Sequence, residues 1–117
     1  MKKTYEQYLA MGMDENTARY FSNGRRRVVA VRAKPDYTLV LTFDNGEMRS
    51  LDCRPEFTDG SLFMRLASPS DFERVFVDAA GNIAWDIDPT VDSEIVWNNR
   101  IDFCRDACYL KSVPIAD

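Results

Sequence analysis

Residues 26–54 read RRVVAVRAKPDYTLVLTFDNGEMRSLDCR, and this stretch decides the fold. Residues 37–43 within it alternate large apolar side chains with threonine, which is the two-residue period of a half-buried β-strand. A run rich in valine precedes this segment, and turn residues separate it from the runs on either side. The stretch therefore predicts three consecutive antiparallel strands. Three side chains are expected to share one buried face, namely Leu39, Leu41 and Phe43.

The two turns of this meander have distinct chemistry. Pro35 follows Lys34 and precedes Asp36, and proline cannot donate to a strand ladder while its φ suits a turn. Asn45 and Gly46 follow Asp44, and both residue types tolerate the positive φ of a tight hairpin. A two-residue loop and a three-residue loop at 44–46 would differ in register by one residue. The sequence leaves these two registers open.

Two short helices are predicted before the meander. Residues 4–11 form the first, and Asp14 is a good N-cap for the second, which ends at the Ser-Asn-Gly sequence 22–24. We expect residues 1–25 to be a helical extension that packs on the rest of the chain. Residues 26–117 are expected to be a single small α+β domain.

The second half of the chain is predicted to contain short elements. Capping residues, proline and glycine break it into segments too short for long helices. In chain order they are short helices at 61–66 and 68–74, a second β-hairpin from 75–78 and 83–86, a short amphipathic helix near 91–97, and a C-terminal helical turn within 101–110.

The composition is that of a globular protein, and the charge is distributed unevenly along the chain. Hydrophobic residues make up 45% of the chain and charged residues 29%, as in ordinary globular proteins. The net charge is −4, but residues 1–34 carry eight Lys or Arg against three acids, while the remainder carries seven against sixteen. Apolar runs are short and the N-terminus lacks an apolar signal segment, so we expect a cytoplasmic protein without a membrane span.

The chain has no histidine and three cysteines. An odd number of cysteines without a secretory signal predicts reduced thiols. Cys104 and Cys108 would share one face of a helix at a spacing that a metal pair can use, but buried small side chains are the favoured interpretation.

Without histidine, the usual base of Ser-His or Cys-His catalysis is missing. We therefore expect a non-enzymatic protein without a metal or cofactor.

An acidic segment follows the second hairpin. Four carboxylates lie within nine residues there, and closely spaced carboxylates can bind Mg²⁺ through oxygen. Helix capping and a solvated surface are the favoured interpretation of their role. With a nearby tryptophan they form the candidate partner-binding residues, which are Asp86, Asp88, Asp92, Glu94 and Trp97.

A basic segment follows the two predicted N-terminal helices. The consecutive residues Arg25, Arg26 and Arg27 would follow a helix-turn-helix arrangement, which suggests contact with DNA. The favoured alternative is a solvated strand edge, since charged side chains discourage pairing between edges of separate sheets.

Several motifs of the chain resemble a known family. The most specific are Leu41–Glu47 (LTFDNGE), Leu51-Asp52 and Arg54-Pro55. Over about residues 27–110 the pattern resembles the small bacterial proteins of domain of unknown function family 2442 (DUF2442). The resemblance implies a compact α+β domain without established enzymatic activity. It also implies relatives that occur beside short toxin-like reading frames or fused to DNA-binding helices.

The chain departs from the pattern of this family in two places. Residues 1–25 look like an added pair of helices, and residues 86–100 look like an insertion. The second departure contains the acidic segment, so the resemblance assigns that segment no role.

We therefore predict a protein-interaction or regulatory module whose partner is another protein, with an antitoxin-like role as one form. The acidic C-terminal face or the exposed sheet would make the contact. One alternative is an acidic inhibitor, encoded by a phage or mobile element, that blocks a nucleic-acid-handling complex. Another is a DNA-binding regulator that uses the N-terminal helices and Arg25–Arg27. The choice between a monomer and a homodimer stays open.

Overall fold

Seven strands and four α-helices follow one another within residues 3–115, the part of the chain that the computed structural model describes. The helices are α1 (Tyr5–Ala10), α2 (Glu15–Asn23), α3 (Pro69–Phe72) and α4 (Arg105–Lys111). The strands are β1 (Val28–Lys34), β2 (Thr38–Phe43), β3 (Met48–Asp52), β4 (Phe76–Val77), β5 (Ile83–Asp86), β6 (Arg100–Phe103) and β7 (Val113–Pro114). Short 3-10 helices lie at 54–56, 62–66 and 97–99, and residues 35–37 form a turn in which Asp36 and Tyr37 have positive φ.

The strands form two antiparallel sheets. The first has the order β1-β2-β3-β7 and the second the order β4-β5-β6. The α+β class, the three-stranded meander and the second hairpin are confirmed. Each sheet gains one strand that the sequence did not predict, β7 in the first and β6 in the second.

The hairpin between β2 and β3 has a three-residue loop. The backbone N–H of Phe43 donates to the carbonyl of Glu47 at 2.9 Å, and the N–H of Gly46 donates to the carbonyl of Phe43 at 2.9 Å. Gly46 has a φ of 86°, a conformation that favours glycine. The open choice of register is thereby settled, and the predicted β2 face stays directed at the core.

Both N-terminal helices form as predicted. The Thr4 side chain caps α1, and the Asp14 carboxylate accepts a 2.8 Å hydrogen bond from the N–H of Thr17 at the start of α2. Tyr20 of α2 is buried and stacks on Tyr109 of α4, with ring centroids 5.0 Å apart. The contact between the helical pair and the later part of the chain therefore includes an aromatic stack, and the Tyr20 hydroxyl also donates a hydrogen bond to Asp106 of α4.

The hydrophobic core contains side chains from both sheets and from the helices at 62–66, α3 and α4. Burial of each large apolar side chain stabilises a fold by ~1.5–3 kcal/mol, whereas an exposed ion pair contributes ~0–1 kcal/mol, so this cluster dominates stability. The largest fully buried side chains include that of Trp85, whose indole N–H donates to the carbonyl of Phe72 at 2.8 Å. The members from the predicted β2 face, Leu39, Leu41 and Phe43, are no more than 1% exposed, as expected.

Gly81, in the turn between β4 and β5, contacts the first strand of the other sheet. Its carbonyl accepts a 2.9 Å hydrogen bond from the N–H of Val28 in β1. A Cβ at this position would lie 2.7 Å from the Cβ of Arg27, and the residue has a φ of 82°. Glycine is therefore required where the β4–β5 turn meets the start of β1.

The helical turn predicted within 101–110 is confirmed as α4, but the beginning of this segment is a strand. Arg100–Phe103 is strand β6, in which buried Ile101 and Phe103 alternate with exposed Asp102. Only residues 105–111 are helical. A two-residue alternation is the period of a strand, and pairing with β5 stabilises it.

The prediction of an amphipathic helix near 91–97 is wrong. The carboxylate of Asp88 accepts a hydrogen bond from the N–H of Thr90 at 2.9 Å, and that of Asp92 accepts one from the N–H of Glu94 at 2.8 Å. Such local turns compete with helix formation, because they engage the backbone donors in another geometry.

No helix within residues 3–115 has both the length and the apolar character needed to cross a membrane.

Candidate functional site

Residues 87–99, here called the acidic loop, connect β5 to β6. The two strands pair at the base of the loop, where Asp86 lies opposite Arg100. The N–H of Ile87 donates to the carbonyl of Asn99 at 2.8 Å, which closes the base. The acidic loop therefore projects from adjacent antiparallel strands of the second sheet.

The Asn99 side chain holds the acidic loop together from inside. Its Nδ2 donates to the carbonyl of Val91 at 2.7 Å and to that of Asp88 at 3.1 Å. Its Oδ1 accepts from the N–H of Asp88 at 2.8 Å. One carboxamide thus satisfies three backbone groups across the loop, and these bonds fix its path.

The Arg100 guanidinium binds the second half of the loop. It contacts the carboxylate of Glu94 at 2.7 Å, the carboxylate of Asp78 at 3.3 Å and the hydroxyl of Ser93 at 3.0 Å. The Asp86 carboxylate accepts a hydrogen bond from the N–H of the same Ser93 at 3.0 Å. The hydrogen bond with Glu94 raises the pKa of Arg100 above its ordinary value, so this cation stays charged.

The outer part of the acidic loop exposes large apolar side chains. Ile95 is 81% exposed and Trp97 is 83% exposed, while Val96 between them is 40% exposed. Asp88 and Asp92 are exposed on the same loop. An internally bonded loop that leaves an indole in solvent resembles the aromatic anchors of protein interfaces, since tryptophan is enriched at their energetic centres.

The five candidate residues lie together, but they have different roles. Trp97 is free of the core, whereas Asp86 and Glu94 bond to neighbouring parts of the protein. Asp88 and Asp92 shape local turns, and hydrogen bonds from Thr90 lower the pKa of Asp88. Sequence reasoning missed Ile95, Asn99 and Arg100. The signal for Asn99 and Arg100 was the polar Asn-Asn-Arg sequence directly before an alternating strand.

The exposed face of the first sheet is the other surface that the sequence suggests as a contact with a partner. Met48 is 48% exposed, and Val113 of β7 is 60% exposed on the same face. The register places Thr42 opposite Met48 and Ser50 opposite Val113. The N–H of Ile115, which is 39% exposed, donates to the carbonyl of Met48, so these apolar side chains are neighbours, but each is less exposed than Ile95 or Trp97.

The three consecutive arginines lie near three different parts of the chain. Arg25 makes two hydrogen bonds to the Asp106 carboxylate, at 3.0 and 2.7 Å. Arg26 lies 3.6 Å from Asp44, and Arg27 donates to the carbonyl of Ala79 at 2.7 Å. Arg25 and Arg27 therefore connect the start of β1 to α4 and to the β4–β5 turn, and the arginines are not gathered as one basic surface.

The three thiols are free and lie in different environments. Cys53 and Cys108 are buried, and Cys104 is exposed at the start of α4. Burial raises the pKa of Cys53 to about 12 and raises that of Cys108 as well, so both stay protonated at neutral pH. Within residues 3–115, no group of three or more His, Cys, Asp or Glu is arranged to bind a metal.

The fold and the acidic loop define a small α+β protein that presents an ordered, partly apolar loop. A family described as "Protein of unknown function (DUF2442)" has a model that matches residues 28–112. Because this match covers well over half of the chain, the protein belongs to that family. The match begins at the first residue of β1, so α1 and α2 precede it. No curated protein and no solved structure matches the chain.

Proposed function

We propose that this protein is a non-enzymatic protein-interaction module that binds its partner through the acidic loop. The observation that carries the proposal is the 83% exposure of Trp97 on a loop whose backbone is held by Asn99 and Arg100. An exposed indole contributes little to the stability of the fold, because hydrophobic stabilisation depends on burial. A preordered loop also loses less conformational entropy when it binds, which favours affinity.

The exposed side chains of the loop indicate what kind of partner surface it would bind. Ile95 and Trp97 would enter an apolar pocket, and the exposed carboxylates of Asp88 and Asp92 would face Lys or Arg at its rim. Complementary charge at a rim increases the rate of association and the specificity more than the final affinity. A regulatory role of the antitoxin type is one form of such binding.

A second candidate function is an acidic inhibitor of a nucleic-acid-handling protein. It is favoured by the charge distribution, since sixteen of the nineteen acids follow residue 34. In this case the basic partner surface would be the groove that otherwise binds nucleic acid, and the loop would occupy it. Competition distinguishes this function from general protein binding, because added nucleic acid would displace only an inhibitor of that groove.

The test is capture of a partner by matched variants. We expect the tagged wild-type chain to retain a specific protein from a lysate of its source organism, identified by mass spectrometry. Trp97→Ala should abolish this capture, because it removes the anchor while leaving every loop hydrogen bond in place. Leu62→Ala is the control, since Leu62 is 52% exposed but lies far along the chain from the loop.

The role of charge is tested by a second pair of variants. Asp88→Asn with Asp92→Asn removes two charges and keeps an oxygen to accept each local backbone hydrogen bond. We expect slower association and a weaker dependence of binding on salt, as measured by surface plasmon resonance. Asp59→Asn, at another exposed carboxylate, is the control.

Two results would contradict the proposal. If Trp97→Ala and Leu62→Ala retain the same partner equally, the interface lies elsewhere. If the purified chain converts a substrate, and loses that activity when one carboxylate or thiol is replaced, the protein is an enzyme. Sedimentation of the purified chain tests whether the partner is a second copy of itself.

A further inference from the structure

A cavity of about 310 Å³ lies between α2, the hairpin loop at 44–46 and α4. Its lining includes the guanidinium-bearing residues Arg19 and Arg26 and the carboxamides of Asn16, Asn23 and Asn45. No acidic residue is among the lining residues, although the chain as a whole is acidic. The cavity therefore gathers several hydrogen-bond donors, although Asp44 lies near Arg26 and Glu47 accepts hydrogen bonds from Asn45 and Tyr109 at its edge.

The two arginines of this cavity differ from most others in the protein. Among residues 3–115, the Arg19 guanidinium donates no hydrogen bond, and Arg26 donates only from Nε, to the carbonyl of Gly24 at 3.3 Å. The Nη1 of Arg26 lies 3.6 Å from the Asp44 carboxylate, too far for a hydrogen bond. By contrast, Arg25 and Arg100 each make close contacts with carboxylates. The cavity thus holds terminal guanidinium donors that the fold does not use.

We propose that this cavity binds a terminal phosphate group, as carried by inorganic phosphate or a small phosphate monoester. A guanidinium group offers parallel N–H donors that match phosphate oxygens, and two of them balance the charge of a phosphate dianion. The carboxamides of Asn16 and Asn23 add neutral donors without further positive charge, whereas the NH2 group of Asn45 already donates to Glu47. Asp44 beside Arg26 leaves part of that cation compensated, so Arg19 supplies the larger share of the attraction.

The surroundings favour a single terminal phosphate over the backbone of a nucleic acid. Binding to duplex DNA relies on several cationic contacts spread along the phosphates. Arg25 and Arg27, the nearest cations in sequence, are bonded to Asp106 and to the carbonyl of Ala79. The volume of about 310 Å³ suits a phosphate with a small organic group, since ligand pockets begin at roughly 300 Å³.

The test is isothermal titration calorimetry of the full chain with inorganic phosphate and with phenyl phosphate, in low-salt buffer. We expect saturable binding of both probes, with about tenfold weaker affinity in Arg19→Gln, since one charge-assisted hydrogen bond contributes at least that much. Arg26→Gln should weaken binding in the same direction. Arg65→Gln, at an exposed arginine outside the cavity, should leave the affinity unchanged. Arg19 makes no side-chain bond within the described chain, so its replacement leaves folding intact.

Three outcomes would overturn the inference. One is the absence of saturable heat with either phosphate probe. Another is equal weakening by Arg65→Gln, which would indicate an effect of overall charge. The third is tighter binding of acetate or of a short DNA duplex than of phosphate, which would assign the cavity to carboxylates or to nucleic acid. The Trp97→Ala variant should bind phosphate normally, so this test is independent of the partner proposed for the acidic loop.

Discussion

Replacement of Asp106 by asparagine should weaken the attachment of α2 to α4. The Asp106 carboxylate accepts a 2.5 Å hydrogen bond from the Tyr20 hydroxyl and two hydrogen bonds from the Arg25 guanidinium. Asparagine keeps the shape of the side chain and an acceptor oxygen at Oδ1 for the Tyr20 hydroxyl, but it loses the charge, and its NH2 group faces the Nη2 donor of Arg25. The carboxylate is 16% exposed, so water replaces the lost acceptor poorly.

The size of the effect follows from the exposure of each partner. Arg25 is 46% exposed, so its ion pair contributes only ~0–1 kcal/mol. The hydroxyl of the buried Tyr20 donates to a charged acceptor, and such a bond contributes ~1.5–3 kcal/mol. With asparagine the acceptor is neutral, and a neutral hydrogen bond contributes only ~0.5–1.5 kcal/mol. We therefore expect Asp106→Asn to lower the free energy of unfolding by roughly 1–2 kcal/mol, measured by urea denaturation with circular dichroism.

The pH dependence gives the same prediction a second readout. Burial raises the pKa of Asp106, but hydrogen bonds from Arg25 and Tyr20 outweigh burial and hold it below the ordinary value of 3.8. A carboxyl with a lowered pKa stabilises the fold fully above its unfolded pKa, and that stabilisation is lost as pH falls through its folded pKa. The stability difference between wild type and Asp106→Asn should therefore be constant near neutral pH and shrink below about pH 4.

Asp102→Asn is the matched control, because Asp102 is an exposed carboxylate on the strand directly before α4. Its free energy of unfolding should stay within ~0.5 kcal/mol of wild type. The reasoning is refuted if Asp106→Asn is as stable as this control at neutral pH. It is also refuted if the difference in stability does not change on acidification.

Further measurements examine the loop, the core and the thiols. Asn99→Ala should speed amide hydrogen exchange throughout the acidic loop and leave exchange in β2 unchanged, since it removes the hydrogen bonds across the loop; uniform protection would contradict this role. Trp85→Phe should destabilise the protein by about 1–3 kcal/mol in thermal denaturation, because it leaves the Phe72 carbonyl unsatisfied and shrinks a core side chain. Iodoacetamide should alkylate Cys104 alone in the native protein and all three cysteines in urea; rapid native labelling of a second thiol would show that the core opens readily.

Strands β1, β2 and β3 of the first sheet could be predicted because the residues that determine them are close together in the sequence. The alternation in β2 and the Asn-Gly turn lie within a few residues of each other, and each signal supports the same register. Strand β7 has only two residues, and its pairing with Arg49 and Ser50 depends on the path of the whole chain. No local pattern indicates such a strand.

The sequence predicts a helix near 91–97 because the spacing of the apolar residues there resembles the apolar stripe of a helix. Val91, Ile95 and Val96 would share one face of a helix, but Ile95 is 81% exposed in the folded protein. The bonds that determine the loop run from Asn99 to carbonyls at positions 88 and 91 and from Arg100 to Asp78. These partners are eight or more residues apart along the chain, beyond the range of a periodic pattern.

Because one tryptophan is buried and the other is exposed, intrinsic fluorescence can report separately on the core and on the acidic loop. Trp85 is completely buried, while Trp97 is 83% exposed, so a dissolved quencher such as iodide reaches only the second. Emission that resists quenching follows the integrity of the core, and emission that is quenched follows whatever covers the loop. One quenching experiment on the unlabelled protein can therefore distinguish unfolding from complex formation.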